Sequence, residues 1–166
     1  MYSTGLTADH DLSQFDCGKD VLNKWLQTRA LSADKGMTSK TYVWAFDEDP
    51  AVKAYYAIAP TLVDRAKDGI SSSMAAGFWS VPAFLLAKFA LDKSLQGQGL
   101  GTELLVDAVS KMMGAAQASG GRLIVVDAID DDAFSFYERH DFIPVELTPG
   151  RLVMKMSTAL ATFGVG

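Results

Sequence analysis

Only one cysteine, Cys17, and two histidines, His10 and His140, occur in the 166 residues. A single thiol cannot close an intrachain disulfide or build a multi-cysteine metal site, so the chain is compatible with a reducing compartment. Cys17 is expected as a small, half-buried side chain. The two histidines show no metal-ligand spacing, and no metal is expected. Long apolar runs are missing as well. The best candidate, from Val81 to Leu91, is broken by Pro82 and Lys88 and falls short of the roughly 20 residues a membrane helix needs. The first ten residues, from Met1 to His10, have neither the basic start nor the apolar run of a secretory signal. A cytoplasmic location without membrane association is therefore expected. Cations are in the minority, 15 Lys and Arg against 20 Asp and Glu, for a net charge of −5. That balance excludes a protein that holds nucleic acid through overall positive charge and leaves only local contact.

What is present is a globular composition, 49% hydrophobic and 21% charged, in a chain of the length expected for one domain, residues 1–166. From Lys19 onward, Val21, Leu22, Trp25, Leu26 and Ala30 recur at helical spacing, with Asp16 as the cap and Gly36 as the stop. Two strand-like runs, Tyr42 to Phe46 and Val52 to Ile58, flank the turn Asp47 to Pro50 and read as a hairpin. After the polar stretch Asp64 to Lys67, the small residues from Gly69 to Gly77 suit an irregular loop. Ala83 to Leu91 is almost continuously apolar, as in a central strand.

Beyond Gly101, the positions Leu104, Leu105, Ala108, Met112 and Ala116 follow one helix face, ending near Gly120 and Gly121. Leu123 to Ile129 is a second buried strand, so residues 83–129 form a βαβ unit with parallel strands. A short helix from Asp131 to Arg139 follows. The strands Phe142 to Val145 and Leu152 to Met156 then turn around Pro149 and Gly150. The expected fold class is mixed α/β or α+β.

The most informative stretch is Gln96-Gly97-Gln98-Gly99-Leu100-Gly101, between the buried strand and the helix. Glycines let backbone approach a ligand closely, and the amides of a helix start present the positive end of its dipole, so the site suits a phosphate or pyrophosphate. The stretch lacks the Gly-Lys-Ser/Thr ending of a nucleotide-hydrolysing P-loop and the glycine spacing of a dinucleotide fingerprint. The acidic group Asp127, Asp130, Asp131 and Asp132 enters a helix, where carboxylates serve as caps and dipole partners more often than as cation ligands.

In this stretch the sequence resembles the GCN5-related N-acetyltransferase (GNAT) superfamily, whose coenzyme loop reads Arg/Gln-x-x-Gly-x-Gly/Ala; Gln96, Gly99 and Gly101 fit it. Phe89-Ala-Leu-Asp92 before the loop and Ala133-Phe-Ser-Phe-Tyr-Glu138 before Phe142 extend the similarity over roughly residues 80–156. Asp141 departs from it, standing where the family has glycine. Phe15-Asp-Cys-Gly18, Leu22, Trp25-Leu26, Thr41-Tyr-Val43 and Ala54-Tyr-Tyr-Ala-Ile58 further resemble the acetyltransferase toxins of bacterial toxin–antitoxin pairs.

The resemblance implies a GNAT fold, with one mostly antiparallel central sheet, a parallel splayed strand pair and flanking helices. It also implies acetyl-CoA as cosubstrate. Backbone of Phe89, Ala90 and Leu91 would hold the acetyl and pantetheine portion. Gln96, Gly97, Gln98, Gly99, Leu100, Gly101 and Thr102 would form the pyrophosphate cradle, and Phe136 would border the coenzyme. Tyr137 is the expected general acid, because a phenol with pKa near 10 keeps its proton at neutral pH and can give it to a departing thiolate. The toxins of this kind acetylate the α-amine of aminoacyl-tRNA, stop translation and are neutralised by a ribbon-helix-helix antitoxin. Dimerisation is an expectation that the family alone supplies. Lys19, Lys24, Arg29, Lys35 and Lys40 are locally basic and would serve tRNA, an acidic antitoxin segment or solvation alone. Tyr55, Tyr56, Phe78 and Trp79 are candidates for an acceptor wall, with core packing the expectation for most. The competing readings are a GNAT enzyme for a small amine or a protein N-terminus, and a non-catalytic coenzyme-binding module.

Overall fold

The computed structural model describes residues 2–164. Met1, at the head of the stretch read for a signal, and Val165 and Gly166, at the end of the 1–166 domain, lie outside the described residues. In chain order the elements begin with β1 (Tyr2–Gly5), α1 (Asp20–Thr28), α2 (Ala30–Lys35), β2 (Lys40–Ala45), β3 (Ala54–Asp64), α3 (Arg65–Asp68), α4 (Ser72–Ala75) and β4 (Ser80–Leu91). A 3-10 turn at Lys93–Leu95 leads to α5 (Leu100–Ser119), β5 (Leu123–Asp127), α6 (Asp131–Arg139), β6 (Ile143–Pro144), β7 (Arg151–Lys155) and α7 (Met156–Phe163).

The seven strands follow the hydrogen-bonded order β1-β2-β3-β4-β5-β7-β6. β4 and β5 run parallel, with Ala83–Leu86 opposite Leu123–Val126, whereas β1–β2, β2–β3, β5–β7 and β6–β7 are antiparallel. This is the mostly antiparallel sheet with one parallel pair that the resemblance implies. The β4–β5 ladder stops at Leu86 while β4 runs to Leu91, so the pairing ends five residues short of the strand.

The chain divides into two compact units: residues up to Ala59 with Ala87–Ala108, and Pro60–Leu86 with everything from Val109 onward. In the first, Leu6, Phe15, Leu22, Leu26, Val43, Tyr55 and Ala90 form the core. The Tyr55 ring meets Phe15 edge-on at 5.4 Å and stacks on Trp25 at 6.1 Å. Its hydroxyl donates to the Leu22 carbonyl at 2.7 Å, which satisfies the polar tip of a fully buried ring. α5 contributes Asp107, whose carboxylate accepts from the Ser3 hydroxyl at 2.6 Å and the Trp44 indole at 3.2 Å.

The second unit has its own core of Val63, Ala75, Val81, Ala83, Leu123, Val125, Val145 and Val153. Asp68 is buried there and takes hydrogen bonds from Thr148 Oγ1 at 2.6 Å and Arg151 Nη1 at 3.1 Å. Arg151 also forks onto Asp127 at 2.8 and 2.9 Å. Two carboxylates beside one guanidinium hold Arg151 above its ordinary pKa, chiefly through the Asp127 hydrogen bonds. Removing Arg151 would strand the Asp68 charge, at a cost of about 3 kcal/mol.

Several expectations need correction. The first helix is two helices, because Arg29 leaves helical geometry at φ −125°. Asp16 does not cap it. The N-cap is Lys19, whose side chain makes no capping hydrogen bond, and Asp16 instead accepts from the Gly18 amide and Asn23. Val21, counted on the buried face, is 67% exposed. Cys17 is buried rather than half-buried. β3 continues to Asp64, and the stretch read as polar segment and loop carries two one-turn helices. Asp64 caps α3 through the amides of Ala66 and Lys67, and Ser71 caps α4 through Met74. β7 ends at Lys155, where the strand was expected to reach Met156; the helix from Met156 and the strand β1 were not anticipated. The hairpin of β2 and β3, the helix Asp131–Arg139 and the parallel β4–β5 pair stand as expected.

Candidate functional site

β4 delivers the chain into the glycine stretch through a tightly bonded corner that lies within the first unit. Asp92 begins the corner, its carboxylate accepting from the Ser94 amide at 3.0 Å, the Ser94 hydroxyl at 2.6 Å and the Asp16 amide at 3.0 Å. Partial burial disfavours its charge, but these donors outweigh that and hold its carboxyl below the usual range. Gln96 follows. Its amide nitrogen donates to the carbonyls of Leu91 and Cys17, both at 2.9 Å, so the strand end and the loop start are pinned by one side chain. Gln98 turns back to the Ser94 carbonyl at 3.1 Å.

Gly97 and Gly99 both have φ of +78°, the left-handed region that glycine enters without penalty. Among the described residues nothing lies within 4 Å of where a Cβ would stand at either position. The backbone conformation, not crowding, is what calls for glycine, and open space lies in front of it. Leu100, Gly101 and Thr102 are the first turn of the 20-residue α5. An α-helix leaves its first four amides without an intrahelical acceptor, and the dipole adds partial positive charge there. These residues therefore fit a pyrophosphate. On β4, Ala90 is buried in the first-unit core while Phe89 and Leu91 are partly covered.

The structure thus brings Leu91 and Gln96–Thr102 together in one unit. Phe136 and Tyr137 lie in the other, on α6, whose first turn is capped by Asp130 accepting from the Ala133 amide at 2.9 Å. Phe136 packs on His140 at 4.5 Å between centroids and meets Tyr137 edge-on at 5.4 Å. Tyr137 is 6% exposed, and burial pushes its phenol well above the ordinary value. A phenol so shifted stays protonated at any physiological pH. It can donate a proton or hydrogen bond but cannot serve as a base.

α6 closes with three bonds: Asp141 N–H to the Glu138 carbonyl at 3.2 Å, and His140 and Phe142 N–H to that of Tyr137 at 3.0 and 3.1 Å. The Phe142 ring packs against Tyr137 at 5.5 Å. Together they form a Schellman closure with its hydrophobic contact. Asp141 occupies the left-handed position of that motif at φ +70°, which is why the family has glycine there.

Other candidates separate clearly. Tyr55 and Tyr56 are fully buried and belong to packing, whereas Phe78 and Trp79 are exposed by 62% and 68%, with Arg65 lying 4.8 Å over the Trp79 ring. His10 Nδ1 accepts from the Thr7 amide at 3.0 Å, and His140 Nδ1 lies 2.7 Å from the Phe136 carbonyl. Among the described residues no group of three or more His, Cys, Asp or Glu could hold a metal ion, and no helix is long and apolar enough to cross a membrane. Sequence reasoning missed the buried Asn23. Its Oδ1 accepts from the Cys17 amide at 2.9 Å and its Nδ2 donates to Asp16 Oδ1 at 3.0 Å. The available signal was a polar residue on an otherwise apolar helix face.

No family model matches the chain. A tRNA-acetylating toxin of Mycobacterium tuberculosis is 33% identical over 156 residues, covering 93% of this chain and 91% of the relative. The chain belongs to the tRNA-acetylating toxins. Solved structures agree on the fold. AtaT in complex with acetyl-methionyl-tRNAfMet superposes with a TM-score of 0.88 at 28% identity, covering 98% of each chain. A tyrosine-to-phenylalanine variant of AtaT, bound to the C-terminus of the antitoxin AtaR and acetyl-CoA, gives a TM-score of 0.85 at 27% identity, covering 99% of this chain and 98% of that one. As a member of this family the chain is a GNAT-fold acetyltransferase that uses acetyl-CoA.

Proposed function

We propose that this chain is the toxin of a toxin–antitoxin pair and moves the acetyl group of acetyl-CoA to the α-amine of aminoacyl-tRNA, blocking translation. The observation that carries this is the 33% identity to a tRNA-acetylating toxin across 93% of the chain. The glycine turn at the head of α5 supplies the matching chemistry.

Acetyl-CoA contributes an activated thioester. The residues of the chain hold it, present its carbonyl and manage one proton. Amides of Gln98, Gly99, Leu100, Gly101 and Thr102 take the pyrophosphate, with Gly97 and Gln96 setting the turn. Backbone of Phe89, Ala90 and Leu91 receives the pantetheine and acetyl portion, and Phe136 covers the coenzyme. The neutral amine attacks the acetyl carbon, the carbon–sulfur bond breaks, and Tyr137 gives its proton to the departing sulfur. An α-amine with pKa near 8 has a substantial neutral fraction near physiological pH, and water suffices to take the proton lost by nitrogen.

Residues 1–166 act in this reading as one acetyltransferase domain in the cytoplasm, where aminoacyl-tRNA is found. A ribbon-helix-helix antitoxin is the expected inhibitor, and a homodimer the expected assembly. The test incubates the protein with labelled acetyl-CoA and charged tRNAs, alongside free amines and peptides. Label on aminoacyl-tRNA alone is expected. Label on small amines or peptides would replace the tRNA acceptor with that substrate. Coenzyme bound without any transfer would make the chain a binding module.

A further inference from the structure

Asn23 is only 9% exposed, on a face of α1 whose neighbours Leu22 and Leu26 are core residues. A buried amide there is worth keeping only if its hydrogen bonds do something an apolar side chain could not. Both of its bonds go to the same short stretch before α1. The Cys17 amide donates to Oδ1 at 2.9 Å, and Nδ2 donates to Asp16 Oδ1 at 3.0 Å.

That stretch is what the coenzyme loop leans on. The Asp16 amide donates to Asp92 Oδ1 at 3.0 Å, and the Lys93 amide donates to the Asp16 carbonyl at 2.9 Å. The Cys17 carbonyl accepts from Gln96 Nε2, the same nitrogen that holds Leu91. Asp16 Oδ1 is further fixed by the Gly18 amide at 2.8 Å. Two consecutive residues therefore grip the corner at Asp92, Lys93 and Gln96, and Asn23 is the side chain that bonds to both of them.

We propose that Asn23 is a positioning residue for acetyl-CoA binding: through Asp16 and Cys17 it fixes Asp92, Lys93 and Gln96, and so sets the amides of the glycine turn. The inference rests on the reading of that turn as the coenzyme site. Gln96 immediately precedes Gly97, so a displacement at the Cys17 carbonyl reaches the residue from which the glycine turn starts. Binding constellations need their groups held within about 0.5 Å of the productive geometry.

The test compares Asn23→Ala with the parent protein by calorimetric titration of acetyl-CoA and by kinetics on aminoacyl-tRNA. Losing the net value of one to two hydrogen bonds predicts about tenfold weaker acetyl-CoA binding and a matching rise in its KM. At saturating coenzyme, kcat should stay within about twofold, because no reacting group is touched. Gln27→Ala is the control; it removes a comparable side-chain bond from the same helix, to the Leu12 carbonyl at 3.2 Å, and should leave coenzyme affinity unchanged. Combining Asn23→Ala with Gln96→Ala should weaken binding by less than the product of the single effects, because both act through Cys17. Should Asn23→Ala not fold, Asn23→Asp is isosteric and sets a second carboxylate against Asp16, and must weaken coenzyme binding in the same way. Unchanged affinity in a folded Asn23 variant, or equal loss in Gln27→Ala, overturns the positioning role while leaving the acetyltransferase reading intact. Failure of the parent protein to bind acetyl-CoA overturns both.

Discussion

Asp141 sits at φ +70°, one residue past the helical cap of α6, and it is exposed. An L-residue in the left-handed region pays about 1 to 1.5 kcal/mol, relieved in full by glycine. Glycine also gives the unfolded chain more freedom, which takes back about 0.5 kcal/mol. A carboxylate beyond a helix C-terminus faces the negative end of the dipole, worth about 0.3 kcal/mol at an exposed site. Asp141→Gly should therefore stabilise by about 1 kcal/mol, whereas Asp141→Asn, which keeps the strain and removes the charge, should gain only about 0.3 kcal/mol. An unfolding entropy of about 2.1 cal/mol/K per residue over 166 residues converts these into rises in Tm of about 3 °C and about 1 °C.

Differential scanning calorimetry of the three proteins at one pH and salt concentration separates the two contributions. If Asp141→Gly melts no higher than Asp141→Asn, the left-handed strain is not being paid and the reasoning fails. The position bears on chemistry as well as stability, because the bond from the Phe142 amide to the Tyr137 carbonyl spans this residue and closes the turn of helix that carries the phenol.

Three further outcomes are expected. Tyr137→Phe should lower kcat by about a hundredfold or more with little change in KM; in the parent protein kcat/KM should rise with pH through about 8 and then stay level to about 10, since burial holds the Tyr137 proton beyond that range, and an equally active Phe variant would remove Tyr137 from the mechanism. Burial also raises the phenols of Tyr55 and Tyr56, so the native state keeps three protons that the unfolded chain releases near pH 10. The stability they contribute is complete below that pH and falls above it by up to about 4 kcal/mol per pH unit; urea midpoints that stay level through pH 11 would contradict the burial of these rings. Gly99→Ala should cut acetyl-CoA affinity at least about tenfold yet cost only about 1 kcal/mol of stability, because its Cβ enters open space; Gly121→Ala should unfold far more readily, since there a Cβ would lie 2.5 Å from the Phe84 ring, and thermal melts beside coenzyme titrations would reveal any reversal of that order.

Periodicity sufficed where packing and local chemistry point the same way. α6 appears with the bounds read from Asp131 to Arg139, because a capping aspartate, an acidic first turn and an amphipathic face agree. It failed where the backbone leaves helical geometry at Arg29. Thr28 turns its hydroxyl onto the Lys24 carbonyl at 2.6 Å, α1 ends, and the chain restarts as α2 one residue later, although the apolar spacing runs on through Ala30. The glycine stretch was legible because left-handed backbone and a helix start both write themselves into composition. The Asp16–Asn23–Gln96 network was not, since its partners come from residues 16–23 and 91–96, and nothing in either segment announces that a carbonyl of one will meet an amide of the other.

Charge is the property in which sequence and function pull apart. A chain at −5 repels RNA at long range, yet its proposed substrate is a tRNA. Between Lys19 and Lys40 there are five cations against two carboxylates, so the excess acid lies elsewhere. Lys40 is partly engaged by Asp34 at 3.4 Å, while Lys24, Arg29 and Lys35 stand exposed, with no carboxylate at ion-pair distance among the described residues. The break at Arg29 changes how these cations are spread, because α2 is no continuation of α1 and they do not lie on a single helix surface. Cations left without a carboxylate partner can each meet a phosphate, so local contact with a polyanion is compatible with the overall negative charge.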